Sequence, residues 1–241
     1  MNAPATPRPA STVVVLRPRA EGFEVLLVRR NDRVAFMAGA FVFPGGSVDA
    51  TDRAPIPVAP SLPEGPPRFS DLSAEDELTY RRAAVRELQE EAAVSVEVGA
   101  LIPIGHWVTP EIEIRRYDTR FFLTVLPPGQ EARHDEGETT EIAWCMPADA
   151  LARGLRGEMM LPPPTWTTLR QLERQTTMAA ALDWARTTPL VRIQPNFVRD
   201  GATSVLTLPG DPSFPTLPGW AVPEETRFVL EEGRGWLPVR G

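Results

Sequence analysis

The sequence predicts an α+β layered fold, and three observations carry that expectation. Three β-rich segments precede any helical one. Four more β-rich segments then follow a single amphipathic stretch, giving the order β-β-β-loop-α-β-β-β-β-α, which does not suit a doubly wound nucleotide fold. The 241 residues, 42% hydrophobic and 24% charged, suffice for one packed core with an appended segment.

Thr12–Leu16 and Phe23–Val28 are rich in β-branched and aliphatic residues, and the turn-forming Arg17–Gly22 between them predicts a hairpin. Ala40–Phe43 is a third short strand, halted by Pro44-Gly45-Gly46. Residues 51–73 are Pro-rich and polar without periodicity, a length of loop that is functional or disordered in most compact domains. Ser73-Ala74-Glu75-Asp76 then reads as a capping-box-like start for a helix over Leu78–Ala92. On that helix Glu87, Glu90 and Glu91 fall at i, i+3 and i+4 and share a face, while Leu78, Val85, Leu88 and Ala92 gather opposite. Three carboxylates this close repel one another unless a cation sits among them. Clustered hard oxygens are what Mg²⁺ or Mn²⁺ takes, with substrate phosphates completing the shell.

Val94–Val98, Leu101–Val108, Thr119–Leu126 and Glu141–Met146 read as further strands, and Pro147–Arg153 as a short helix. Thr165–Arg186 reads as one long helix capped by Thr165, with Trp166, Leu169, Leu172 and Met178 on a face suited to core packing or a homodimer contact. Leu190–Ile193, Thr203–Leu208 and Arg227–Leu230 are strand candidates among prolines. The expected organisation is a flexible lead-in at 1–10, marked by Pro4, Pro7 and Pro9, a domain over 11–190, and an extension over 191–241 packed on it.

Composition excludes several chemistries. The net charge is −7, and all 25 basic residues are Arg, so neither a Schiff-base lysine nor a P-loop lysine is available. An acidic chain without a basic tract is a poor ligand for a nucleic-acid duplex. One cysteine, Cys145, precludes an internal disulfide and a multi-cysteine zinc site; its apolar neighbours suggest a buried strand thiol. No apolar run is long enough to span a bilayer, and the N-terminus lacks a signal-peptide segment, so cytoplasm is the default expectation.

The residues Gly46, Arg86, Glu87, Leu88, Glu90, Glu91 and Val94 resemble the Nudix hydrolase box. That box runs Gly, five residues, Glu, seven residues, then Arg-Glu, an apolar residue, any residue, Glu-Glu, any residue, Gly and an apolar residue. The pattern puts Arg at 60, fourteen after Gly46. It stands at 86, so the box carries an insertion of 86 − 60 = 26 residues. An interrupted box resembles the branch that includes a mammalian peroxisomal coenzyme A diphosphatase. Ser47-Val48-Asp49, His106 to Glu111, Arg116 to Thr119 with Phe121-Phe122, Glu138 to Trp144 and Pro163-Pro164-Thr165 are similar to that branch too. A coenzyme A signature is matched in spacing by Leu26, Leu27, Arg30, Gly39 and Phe43 to Gly46. Val28, Asn31 and Ala35 replace its polar members, with Arg33 near the last.

The resemblance implies an α/β/α sandwich of mixed sheet and flanking helices, and hydrolysis of a nucleoside diphosphate linked to another group X. It implies Mg²⁺ or Mn²⁺ held by Glu87, Glu90, Glu91 and the Gly46 carbonyl, with Arg86 fixing a carboxylate by a charge-assisted pair. A further carboxylate is expected from the loop before the last strand, where Glu138 has the best spacing and Glu136 or Glu141 could substitute. Arg30, Arg33, Phe43, Arg116 and Arg120 are candidate substrate contacts. Of Phe121 and Phe122, which must face opposite sides of the sheet, at most one is expected to touch substrate. Two departures stand out. Counted back from Arg86, the first glutamate of the box falls on Leu78; and Ala93 stands where a left-handed Gly is expected, at a cost of about 1 kcal/mol.

Overall fold

The computed structural model describes residues 4–32, 37–54, 68–134, 137–201 and 203–239. Arg33, Glu136 and the middle of the Pro-rich stretch lie outside the described residues. The strands are β1 (Arg8–Pro18), β2 (Phe23–Arg30), β3 (Phe41–Val42), β4 (Gly45–Ser47), β5 (Ile102–Val108), β6 (Tyr117–Val125), β7 (Thr139–Cys145), β8 (Arg192–Ile193), β9 (Asn196–Asp200), β10 (Thr203–Thr207), β11 (Arg227–Glu231) and β12 (Gly235–Val239). The helices are α1 (Ala74–Ala92), α2 (Pro147–Leu155), α3 (Pro163–Glu173) and α4 (Met178–Thr187). No helix among the described residues is long and apolar enough to cross a membrane.

An eight-stranded mixed sheet forms the centre. Its main path is β3-β2-β1-β6-β5-β8, with β4 beside the first half of β1 and β7 beside β2. β1 runs parallel to β6 over nine residue pairs, from Arg8↔Tyr117 to Leu16↔Val125; the β1–β2 hairpin is antiparallel. Alternation along β1 assigns its faces. Val13 and Val15 point towards α1, where Leu26, Tyr80, Ala84, Leu88, Ala92 and Phe122 pack around them. Val14 and Leu16 point the other way, into a core shared with Phe121, Leu123, Trp166 and Leu169. Helices thus cover both faces, as the resemblance implies.

α1 is narrow on its buried side. Small Ala83, Ala84 and Ala92 beside Leu88 let it lie close on the sheet. Glu77 and Arg81 are also buried there, paired at 2.7 Å, and Arg81 donates to the Leu101 carbonyl. The Ser73 hydroxyl accepts from the Asp76 N–H, so the capping-box start holds. The helix ends on Ala93 at φ 56°, ψ 27°, the left-handed geometry for which glycine is the unstrained choice.

Several elements differ from expectation. β1 begins at Arg8, inside the stretch expected to be a flexible lead-in, because it pairs with β6 from its first residue. Val94–Val98 is no strand; it is a connection ending in a 3₁₀ turn at Val98–Ala100. The expected long helix is two, broken at Arg174–Thr177, with Thr177 accepting from the Ala180 N–H as a second N-cap. Trp166, Leu169 and Leu172 are buried in the chain's own core, with Met178 packed against it. Cys145 lies buried on β7. After β8, four antiparallel strands form a second sheet in the order β12-β11-β10-β9, and Leu206, Leu208 and Phe228 join the same core as Trp107 and Phe121.

Candidate active site

Gly45 and Gly46 form β4, pressed against β1 at Thr12 and Ser11. A Cβ on Gly45 would lie 2.3 Å from the Ser11 carbonyl oxygen, and one on Gly46 would lie 2.5 Å from the Glu87 carboxylate. Both positions therefore require glycine for close approach, of backbone in one case and of a carboxylate in the other. The Gly45 N–H donates to Glu91 at 2.8 Å, fastening the C-terminal half of α1 to the turn after Pro44.

Arg86 is the hub. It donates to both oxygens of Asp52 at 3.2 and 2.9 Å, to the Ser47 carbonyl at 2.9 Å, and through Nη1 to Glu87 at 2.8 Å and Glu90 at 2.9 Å. The Asp52 pairing holds Arg86 firmly charged. Asp52 is 4% exposed and also accepts from the Asp49 N–H. Sequence reasoning missed it by counting back from Arg86 to Leu78. Counted forward from Gly46, the first acidic position of the box is 46 + 6 = 52, so Asp52 occupies it. The insertion lies between Asp52 and Arg86, and space restores what sequence separates.

Of the three glutamates, Glu91 is 3% exposed, the Glu87 side chain 12% and the Glu90 side chain 57%. Burial pushes the Glu91 carboxyl up to about 8, with Glu87 and Glu138 adding to the shift and the Gly45 N–H and Arg30 opposing it. Burial also raises Glu87, reinforced by Glu90 and Glu138 and opposed by Arg86. Carboxylates that repel one another call for positive charge, which Arg86 and Arg30 supply only in part, since burial still holds Glu87 and Glu91 above the ordinary value. Among the described residues, no three such side chains stand close enough to cage a cation; Arg86 bridges Glu87 and Glu90. The donor chemistry nevertheless fits a hard divalent ion: clustered carboxylate oxygens with no competing lysine, histidine or thiol.

These groups open on a cavity of about 650 Å³, lined also by Arg30, Phe43, Asp49 and Glu138. Arg30 and Phe43, two of the candidate substrate contacts, thus both face this cavity. The Asn31 N–H donates to the Glu138 carbonyl and its side chain to the Gly137 carbonyl, tying the glutamate-bearing loop to the end of β2. Phe121 lines the cavity while Phe122 is buried beneath α1, so one of the pair faces the site.

Arg116 and Arg120 do not line the cavity. Arg116, 7% exposed, donates to the carbonyls of Thr109 and Ala5 and pins the N-terminal segment. Arg120, 2% exposed, pairs with Asp71 at 2.7 Å and Asp118 at 3.3 Å and donates to His106 Nδ1 at 2.8 Å. Because arginine can only donate, His106 Nδ1 accepts and its Nε2–H donates to Asp118. Burial alone would raise Asp71 and Asp118, yet the Arg120 hydrogen bonds to Asp71 and the His106 hydrogen bond to Asp118 hold both below the ordinary aspartate value. Expected to reach phosphates, these two arginines instead hold structure; alternation along a strand does not separate a buried ion-pair network from a ligand contact.

Comparison with known proteins accords with this geometry. The human acyl-coenzyme A diphosphatase NUDT19 is 27% identical over a match covering 64% of this chain and 62% of that protein. Its Xenopus laevis counterpart is 23% identical, covering 62% and 60%. The chain therefore spans less than two thirds of the length of these curated relatives. The crystal structure of a NUDIX hydrolase from Alicyclobacillus acidocaldarius superposes with a TM-score of 0.62 at 27% identity, covering 74% of this chain and 96% of that one. Residues 6–162, well over half the chain, match the sequence model of the NUDIX domain, and the chain belongs to that family.

Proposed function

We propose that the protein is a divalent-metal-dependent hydrolase that cleaves the diphosphate linkage of a nucleoside diphosphate derivative, with coenzyme A or its thioesters as the favoured substrates. The observation that carries the reading is the meeting of Glu87, Glu90, Glu91 and Arg86 with Gly45-Gly46 at the mouth of one cavity. The NUDT19 relatives, named as acyl-coenzyme A diphosphatases, and the cavity positions of Arg30 and Phe43 support the choice of substrate.

Glu87, Glu90, Glu91 and the Gly46 carbonyl would hold Mg²⁺ or Mn²⁺. Such an ion neutralises diphosphate oxygens and makes the phosphorus easier to attack. Burial raises the Glu91 carboxyl to about 8, and nearby positive charge would favour its carboxylate form. Arg86, clamped by Asp52, keeps Glu87 and Glu90 on the cavity side of α1. Arg30 supplies positive charge to the phosphates. Glu90 and Glu138, both solvent-accessible, have room to accept a proton from the attacking water.

The test is direct. Purified protein is incubated with coenzyme A, ADP-ribose and NADH in the presence of Mg²⁺ or Mn²⁺, beside Glu90→Gln and Glu91→Gln. Each variant is expected to lose at least 100-fold in kcat, roughly the scale of removing a group that acts on the reacting centre. Wild-type rates in both variants would overturn the site assignment, and no turnover in the wild type would favour a metabolite-binding role.

A further inference from the structure

The cavity is wider than a diphosphate needs. Its floor is a row of four residues in register across four strands: Ser47 on β4, Ala10 on β1, Thr119 on β6 and Trp107 on β5. Three strand spacings separate Ser47 from Trp107, roughly 14 Å at about 4.8 Å each. The carboxylates and Arg86 gather at the β4 end. At the other end lies Trp107; Ile193, paired with it, leads the chain to Pro195 and on to β9, whose Phe197 pairs with Leu206 of the C-terminal extension, and both Pro195 and Leu206 line the cavity.

That end sets the apolar faces of Trp107, Pro195 and Leu206 beside the hydroxyl-bearing Thr109, Tyr117 and Thr119. The described lining residues include no Asn or Gln, and their carboxylates are Asp49, Glu87, Glu90, Glu91 and Glu138. A heterocyclic base is recognised by matched donors and acceptors; an aliphatic chain needs only a dry wall. Leu206 is 7% exposed, sits on β10 between Phe197 and Phe228, and belongs to the core that contains Trp107 and Phe121. Its position is therefore fixed by packing. A rigid wall discriminates by size better than a mobile one.

We propose that the C-terminal sheet is a specificity element of this site: Leu206, backed by Pro195, forms the far wall against which an apolar acyl chain of the substrate lies. The proposal rests on the diphosphatase reading for its substrate class, and it assigns a task to a sheet that lies beyond the NUDIX match at residues 6–162. No group transfers at this end. The wall contributes binding and sets how long a chain the site accepts.

The experiment compares octanoyl-coenzyme A with free coenzyme A. The ratio of their kcat/KM values is measured in the wild type, in Leu206→Gln and in Leu206→Ala. The affinity ratio for the same two compounds is measured by calorimetry with Mg²⁺. Leu206→Gln keeps the size of the side chain and inserts a polar group. It is expected to lower both ratios about tenfold, the discrimination that a small change in an apolar pocket supports, through KM rather than kcat. Leu206→Ala serves if the Gln variant does not fold, and lowers the ratios in the same direction. Leu230→Gln, on the exposed part of the same sheet, leaves them unchanged. Unchanged ratios in folded Leu206 variants would overturn the wall. Lost turnover in the wild type with a lowered affinity ratio in the variants would overturn the hydrolase reading and leave the wall standing.

Discussion

Asp52 and Leu78 show how one residue's role depends on the direction of counting. The box is read reliably from Arg86 onward because a helix fixes the spacing of Glu87, Glu90 and Glu91 with no contribution from the rest of the chain. Before Arg86 the spacing passes through an insertion, and only three-dimensional contact identifies Asp52 as the partner. Arg116 and Arg120 fail for a related reason: their burial depends on Ala5 and Asp71, both distant in sequence. If Asp52 positions Arg86, Asp52→Ala leaves a partly buried guanidinium short of its bidentate acceptor. The urea-unfolding free energy is then expected to fall by about 2 kcal/mol, with Asp52→Asn losing less. An unchanged midpoint in Asp52→Ala would remove Asp52 from this role.

At the level of elements, sequence patterning located the central strands and α1 because each has either alternation or a helical stripe strong enough to stand alone. It did not separate α3 from α4, since Arg174–Thr177 holds neither glycine nor proline and the break rests on the Thr177 cap. β9 and β12 escaped notice because a five-residue strand beside prolines owes its existence to its neighbours in the sheet. The end of α1 was legible: Ala93 takes the left-handed conformation expected of that position. Ala93→Gly is expected to raise stability by about 1 kcal/mol in chemical denaturation, the strain removed outweighing the added freedom of the unfolded chain. A loss of stability would show that the cap is not strained.

Across the whole molecule, two sheets share one core, and charged clips fix the C-terminal one. Asp211, 4% exposed, accepts two hydrogen bonds from Arg227 at 3.0 and 2.8 Å, and Glu225 pairs with Arg170 of α3 at 2.6 Å. The Arg227 hydrogen bonds hold the Asp211 carboxyl at about 2, below its ordinary 3.8. A depressed carboxyl stabilises the fold above its unfolded value and withdraws that stability as pH falls through its folded one. Unfolding free energy is therefore expected to decline between about pH 4 and pH 2, and Asp211→Asn to flatten that decline; parallel profiles in the two proteins would exclude the clip. The anchors flanking the Pro-rich stretch have a different consequence. Ahead of it, Arg82 holds the carbonyls of Thr51 and Ala54; behind it, Arg68 holds those of Pro103, Ala185 and Thr188, and Phe69 is wedged against Phe122. With both stumps secured independently, the number of links joining them is thermodynamically cheap to change, at about 0.6 kcal/mol of closure entropy for each doubling. Evolution can thus splice chain into the middle of a catalytic motif at this point and leave the motif whole.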